Sequence, residues 1–188
     1  MLLLSLCYNQ LNKIIFYLEE KMNTLIPVSS KIFDENVPLQ FSNILDGLTN
    51  YLNFNINGNN VLDGENAIIE FLTEVFQLND NEGFVDLYLN KLDESEKNNL
   101  LKMCYTDDTN TIIEHINLNH NEPYYKLTNK SLIPFLVRLN TREIFFVTFY
   151  FSKIPFTIWG NFNMTFPCFS DNEENLNYYK KLAKNHNL

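Results

Sequence analysis

Glycine and cysteine are scarce in this chain of 188 residues, and their scarcity excludes several kinds of site. The five glycines are too scattered for the closely spaced patterns that hold a nucleotide phosphate. Cys7, Cys104 and Cys168 are an odd number of cysteines without a CxxC pair, whereas a secreted disulfide framework needs a denser, even set. We therefore expect reduced thiols, a cytoplasmic protein and no cofactor.

Long apolar runs are also absent from the sequence. A membrane span needs about 18 consecutive apolar residues, but the apolar start of the chain is followed at once by Tyr8, Asn9 and Gln10. This start lacks the basic region and the small-residue cleavage site of a signal peptide. We predict that residues 1–22 are an amphipathic helix or an upstream extension, and that the protein makes no contact with a membrane.

Basic residues are outnumbered: 14 lysines and arginines stand against 23 acidic residues, which gives a net charge of −9 at pH 7. This charge repels phosphate backbones, so we expect no nucleic-acid partner. The hydrophobic content of 45% and the aromatic content of 14% are ample for a buried core. The length fits one domain, for which we predict the bounds 23–188.

The acidity is concentrated in the middle of the chain. Residues 34–122 hold 17 acidic and 3 basic side chains, whereas the segments before and after them carry net charges of +1 and +4. Apolar residues recur there at steps of three and four, which is the spacing of one helical face. This spacing predicts helices at residues 41–52, 65–77, 84–91, 94–104 and 111–116.

The aromatic segment 123–169 has a different pattern. Apolar residues alternate with others from Phe145 to Ser152, which predicts a strand with one apolar face. Residues 132–139 are interpreted either as its antiparallel partner or as a helix. Further strands are predicted at 156–159 and at 163–166, the second ended by Pro167.

The last segment, about residues 171–185, is predicted to be a helix. Ser170 followed by Glu173 matches the capping-box pattern at its start. Together these elements predict an α+β fold, in which N-terminal helices pack on a small antiparallel sheet of three to four strands and a C-terminal helix closes the domain.

Catalytic and metal sites are not indicated by the spacing of reactive residues. His115 and His120 are five residues apart and do not share a helical face, and no zinc-type spacing accompanies them. Cys104 lies close before Asp107 and Asp108, whose charges disfavour the thiolate that a nucleophile needs. We predict no catalytic residue and no metal ligand, and we interpret the cysteines as buried apolar residues.

The acidic block is the feature that suggests a function, because a concentrated negative field attracts and steers a cationic protein. The predicted contacts are Asp63, Glu70, Glu74, Asp80, Glu82 and Asp86. Trp159, the only tryptophan, is predicted to be an aromatic anchor, since tryptophan is enriched among interface hot spots. A small, acidic chain without catalytic motifs resembles bacterial immunity proteins in type. The hypothesis is a non-catalytic inhibitor that covers a basic toxin domain such as a nuclease.

Two other functions stay open at this point. A small hydrolase-like enzyme would use a carboxylate or a histidine in a cleft that the sequence does not reveal. An oligomeric scaffold would associate through the edge of the hairpin that is predicted within the aromatic segment 123–169. A deep pocket containing His115 or Cys104 beside a carboxylate with a perturbed pKa would favour the enzyme, whereas size-exclusion chromatography would detect the scaffold.

Overall fold

The structure, a computed structural model, describes residues 24–58 and 61–188, which form a mixed fold of helices and one antiparallel sheet. The predicted N-terminal segment 1–22 lies outside the described residues. Seven strands follow the order β1-β4-β3-β5-β6-β7-β2 across the sheet, and every neighbouring pair is antiparallel. The strands are β1 Ile26–Pro27, β2 Leu52–Asn57, β3 Gly83–Asp86, β4 Tyr124–Leu127, β5 Phe149–Phe151, β6 Phe156–Ile158 and β7 Thr165–Ser170.

Seven α-helices connect and cover these strands in the part of the chain that the structure describes. They are α1 Ser30–Asn36, α2 Ile44–Asn50, α3 Val61–Leu78, α4 Glu94–Met103, α5 Thr106–Asn117, α6 Ile133–Thr141 and α7 Glu173–Asn185. Short 3₁₀ turns occupy Leu89–Lys91 and Lys130–Leu132. None of the described helices combines the length and apolar character that a membrane span requires.

The α+β class is confirmed, but the prediction of a sheet with three to four strands is wrong. Four strands are additional to the predicted ones: β1, β2 and β3 precede the aromatic segment 123–169, and β4 lies at its start. Pairing with distant partners determines these short strands. β2, for example, aligns with β7 so that Leu52 lies opposite Ser170, and a sequence pattern does not reveal such a partner.

The helix predicted at 84–91 is the main error within the acidic part. Val85, Leu87 and Leu89 are buried in the main core, and they alternate with residues of the opposite face. Alternation with a period of two is the pattern of a strand. The segment therefore forms β3 and a short 3₁₀ turn instead of a helix.

The helix predicted at 41–52 is real but shorter, and its apolar stripe is not buried. α2 ends at Asn50, and Leu52 begins β2. Leu45 and Leu48 are 69% and 47% exposed. The spacing of apolar residues predicted the helix correctly, but it did not predict which elements would cover that face.

Corrections also apply in the aromatic segment. Residues 132–139 lie within a 3₁₀ turn and α6, which accommodates Pro134 in its first turn, where a missing N–H costs nothing. β7 continues through Pro167 to Ser170 instead of ending there. α7 begins at Glu173 with Asn172 as its N-cap, so Ser170 is not the capping residue.

The sheet separates two apolar clusters of different size. The main core packs α3, α6 and α7 against one face of the strands, through residues such as Phe71, Leu136 and Phe149. The second cluster covers the other face with α1 and contains Phe33, Phe84 and Tyr150. This second cluster is the smaller of the two.

Candidate functional site

The candidate site lies on the face of the sheet that α1 covers. Phe84 and Asp86 point to this face, because they alternate along β3 with Val85, which belongs to the main core. Tyr124 on β4 lies opposite Asp86, and Tyr150 on β5 lies opposite Phe84. One carboxylate is thus placed among aromatic residues of three neighbouring strands.

A cavity of about 250 Å³ opens over these residues, and we call it the Asp86 pocket. Its walls come from β3, β4, β5, the end of β6, α1 and the loop that follows α1. The residues lining it are Phe33, Gln40, Phe41, Ser42, Asp86, Tyr88, Tyr124, Tyr150 and Trp159.

Two stacked aromatic pairs form part of the wall. The rings of Phe33 and Tyr124 are parallel with centroids 3.9 Å apart, and Tyr150 meets Phe33 edge-on at 5.0 Å. The rings of Phe41 and Trp159 are stacked at 5.2 Å. Aromatic faces carry negative potential, so these walls favour a cationic or apolar group inside the pocket.

Asp86 supplies the charge of the pocket. Its side chain is buried, with 5% of the residue exposed, and its oxygens accept hydrogen bonds from the backbone N–H of Thr148 at 2.7 Å and from the hydroxyl of Tyr150 at 3.2 Å. Burial raises the pKa of Asp86 from 3.8 to about 6, in spite of these hydrogen bonds. The carboxylate is therefore ionised at neutral pH at a cost to the folded state.

Negative charge dominates the described surroundings of the pocket. Among the residues that the structure describes, none that lines the pocket is basic. Burial raises the pKa of Tyr124, and the charges of Asp86, Asp34 and Glu122 raise it further. Lys126, on the same face of the sheet, forms an ion pair with Glu82 at 2.7 Å. A buried carboxylate without a paired cation is unusual, and a cation that entered the pocket would complete it.

Gly160 fixes the backbone beside Trp159. A Cβ atom at Gly160 would lie 2.2 Å from Oδ1 of Asn140 and 2.6 Å from the carbonyl oxygen of Val147. Asn140 is fully buried and hydrogen-bonds both the N–H and the C=O of Val147. The backbone N–H of Trp159 is held by the carbonyl of Pro167 at 2.9 Å. Close packing therefore positions Trp159 at the pocket.

We expect Gly160→Ala to lower the free energy of unfolding by about 2–3 kcal/mol, because the added methyl group must displace a buried hydrogen-bonded backbone. Urea denaturation followed by circular dichroism measures this loss. Gly83→Ala is the control, since a Cβ atom there meets nothing closer than Phe151 at 3.0 Å. An equal or larger loss in Gly83→Ala would contradict this role of Gly160.

The structure distributes the other predicted contacts over separate surfaces. Glu70 and Glu74 lie on α3, on the main-core side of the sheet, and both approach His186, at 3.7 Å and 2.8 Å. Asp63 is exposed in the first turn of the same helix. Asp80 and Glu82 follow α3 and pair with Lys153 and Lys126. Glu70 and Glu74 thus meet at His186, and Asp80 and Glu82 line a separate cavity. Of the predicted contacts, Asp86 and Trp159 line the Asp86 pocket.

Basic residues from the C-terminal third pair with several carboxylates of the acidic block. Arg142 binds Glu65 with two hydrogen bonds, of 2.7 Å and 2.9 Å, and Arg138 binds Asp108 in the same way, at 2.5 Å and 2.7 Å. These pairs join α3 and α5 to α6. The charge that is concentrated in the sequence is thus partly neutralised inside the fold.

The histidine and cysteine candidates lie outside the Asp86 pocket. His115 and His120 line a separate cavity of about 100 Å³, whose described lining holds no carboxylate. Burial lowers the pKa of His115, whose Nε2 accepts from the N–H of Leu25 and whose Nδ1 lies 2.6 Å from the carbonyl of Thr111. Burial, followed by the charge of Asp108, raises the pKa of Cys104 to about 11, and burial raises that of Cys168 further. Within residues 24–58 and 61–188, no group of three His, Cys, Asp or Glu side chains could hold a metal ion.

The aromatic residues around Asp86 were missed by the sequence argument. Phe84, Asp86 and Tyr88 alternate with the buried Val85 and Leu87. This alternation placed a single carboxylate between two aromatic residues on one face of a strand, and it was the available signal. Comparison with protein-family models, with curated proteins and with solved structures found no match. The function is therefore inferred from the geometry of this pocket.

Proposed function

We propose that this chain is a non-catalytic acidic binding protein that docks a basic protein partner, in the manner of a bacterial toxin-immunity inhibitor. The docking surface in this proposal is centred on the Asp86 pocket and not on the outer face of α3. The observation that supports it is an ionised, buried carboxylate in a pocket whose described lining residues include no basic side chain. Such a carboxylate destabilises the free protein and gains a partner when a cationic side chain binds.

The aromatic walls support the same proposal. Tryptophan and tyrosine are enriched among the residues that dominate binding energies, and Trp159, Tyr88 and Tyr124 each retain solvent exposure at the pocket. The net charge of −9 adds long-range attraction for a basic protein. A nuclease domain, whose cleft is positively charged to bind phosphates, is the kind of partner that fits this charge.

The test is a selection followed by kinetics. A genomic library from the source of this sequence is screened for open reading frames that stop growth of a host and whose toxicity this chain relieves. Association of the purified pair is then measured by stopped-flow fluorescence of Trp159 at low and high salt. We expect fast association that slows steeply as the salt concentration rises.

Two sets of variants distinguish the possible docking faces. Asp86→Asn should weaken the complex by about tenfold or more, because a buried cation would lose its counter-charge. The double variant Glu70→Lys, Glu74→Lys should change only the association rate, and by less than about tenfold. The opposite ranking would place the partner on α3 and contradict docking at the pocket.

A second candidate, a small hydrolase-like enzyme, is favoured by the same carboxylate, because a pKa of about 6 suits a general acid or base. The pocket lining contains one carboxylate and neither histidine nor cysteine. Carboxylate-based glycoside hydrolysis uses two acids, so the binding function is the better supported. Catalytic turnover that Asp86→Asn abolishes would favour the enzyme.

A further inference from the structure

The Asp86 pocket has the properties of a site for one cationic side chain. It is a concave site with a single buried charge at its base and aromatic rings on its walls. Its volume, about 250 Å³, is too small for a folded segment but sufficient for an extended aliphatic side chain. This inference rests on the proposed function and specifies which chemical group occupies the pocket.

We propose that the pocket binds the protonated alkylammonium group of a lysine side chain. The four methylenes of lysine would pack between the stacked pair Phe33–Tyr124 and the stacked pair Phe41–Trp159. The ammonium group would lie at the base of the pocket, between the rings and the carboxylate of Asp86. Cation–π attraction and charge pairing then act on the same group.

The hydrogen bonds of Asp86 favour lysine over arginine. The carboxylate already accepts hydrogen bonds from the backbone N–H of Thr148 and the hydroxyl of Tyr150, and the side chain of Thr148 and the backbone N–H of Asp86 add to these. A guanidinium group binds carboxylates best through two parallel hydrogen bonds, which need a free edge of both oxygens. An ammonium group is compact and binds through a single contact, so it needs fewer free acceptor positions on the carboxylate of Asp86.

The charges that face the pocket from the neighbouring elements are consistent with a cation. Asp34 lies on α1 and Glu122 precedes β4, and both act on Tyr124 together with Asp86. Tyr88 and Tyr150 keep their protons at neutral pH, because burial and the charge of Asp86 raise their pKa values. Among the described residues, the titratable groups that line the pocket thus carry negative charge or none at neutral pH.

The test uses the full chain and free amino-acid derivatives, so it does not require the partner. Trp159 is the only tryptophan in the sequence, and its fluorescence therefore reports on this pocket. N-acetyl-lysine methylamide is titrated at pH 8 into the wild-type chain, with the ionic strength held constant by sodium chloride. The norleucine derivative, which has a similar aliphatic chain without the charge, and the arginine derivative are titrated in the same way.

We expect saturable binding of the lysine derivative, with binding of the norleucine and arginine derivatives weaker by about fivefold or more. Asp86→Asn should weaken lysine binding by about tenfold or more, and the amide shift of Thr148 in NMR spectra should confirm the site. Asp171→Asn, at an exposed acid outside the pocket lining, is the matched control and should bind as the wild type does. The proposal would be overturned if the norleucine or the arginine derivative bound as tightly as the lysine derivative. It would also be overturned if Asp86→Asn bound the lysine derivative as tightly as the wild type does.

Failure of this inference is distinguishable from failure of the proposed function. A basic protein that binds at the pocket while the lysine derivative does not bind would overturn the lysine assignment and leave the docking function intact. Binding of the lysine derivative to the wild type, without a basic protein partner in the selection, would retain the site and overturn the docking function.

Discussion

Asp86→Asn is expected to raise the free energy of unfolding at pH 8 by about 2 kcal/mol. Burial raises the pKa of Asp86 from 3.8 to about 6, and each pKa unit corresponds to about 1.4 kcal/mol. The ionised carboxylate therefore costs the folded state about 3 kcal/mol. Asparagine removes this charge, still accepts the hydrogen bond from Thr148, and donates to the oxygen of Tyr150, so most of the cost should be recovered.

The raised pKa of Asp86 also predicts how the stabilising effect of Asp86→Asn changes with pH. Between pH 4 and pH 6, the folded state holds a proton on Asp86 that the unfolded state has released, so stability from this group falls as the pH rises. The difference between Asp86→Asn and the wild type should consequently grow from pH 4 to about pH 6 and stay constant above it. Urea denaturation at a series of pH values measures this difference.

Asp171→Asn serves as the matched control, because Asp171 is exposed and lies outside the pocket lining. Its effect should stay within about 0.5 kcal/mol at every pH. A destabilised Asp86→Asn would mean that the carboxylate is a structural hydrogen-bond acceptor. A residue that lowers stability and remains accessible from a pocket has instead the character of a binding group, since functional sites commonly carry a stability cost.

Glu65→Ala has the opposite expected effect, a loss of about 3–5 kcal/mol in the free energy of unfolding at pH 7. The side chains of Glu65 and Arg142 are 7% and 18% exposed, and the hydroxyl of Thr141 also donates to Glu65. Tyr105 covers the guanidinium group of Arg142 at 3.7 Å. Removal of the carboxylate would leave this cation enclosed without its counter-charge, and chemical denaturation measures the cost.

Acid should weaken the same ion pair. Burial alone would raise the pKa of Glu65, but the hydrogen bonds of Arg142 and Thr141 outweigh it and place the pKa below the ordinary value of 4.5. The stabilisation is present above pH 4.5 and is lost as the pH falls through the lower, folded-state pKa. Glu70→Ala, at an exposed carboxylate of the same helix, is the control and should change stability by less than about 1 kcal/mol. A similar loss in both variants would contradict the structural role of the pair.

Local patterns predicted the elements whose formation depends on nearby residues. α3 follows an apolar stripe at helical spacing, and α4 begins at Asp93 with the reciprocal hydrogen bonds of a capping box to Glu96. The alternation from Phe145 to Ser152 predicted a strand with one face in the main core; β5 has this character but is shorter, Phe149–Phe151. Each of these signals lies within a few residues of the element that it specifies.

Such local signals did not predict the pocket, because segments that are far apart in the sequence form it. Phe33, Asp86 and Trp159 come from α1, β3 and the end of β6, and only the strand order of the sheet brings them together. The sequence indicated Asp86 and Trp159 for separate reasons: Asp86 as part of an acidic surface, and Trp159 as an aromatic anchor. The common acidic face that the sequence predicted is not formed, because Asp80 pairs with Lys153 and Glu82 pairs with Lys126.

Carbon-13 NMR of the Asp86 carboxyl group in the full chain measures the charge on which the pocket depends. The pKa of this group should be about 6 in the free protein. Saturation with N-acetyl-lysine methylamide should lower it, because a bound cation favours the ionised carboxylate. A pKa near the ordinary 3.8 in the free protein, or one that the lysine derivative leaves unchanged, would contradict the assignment of Asp86 as the recognition group for a cation.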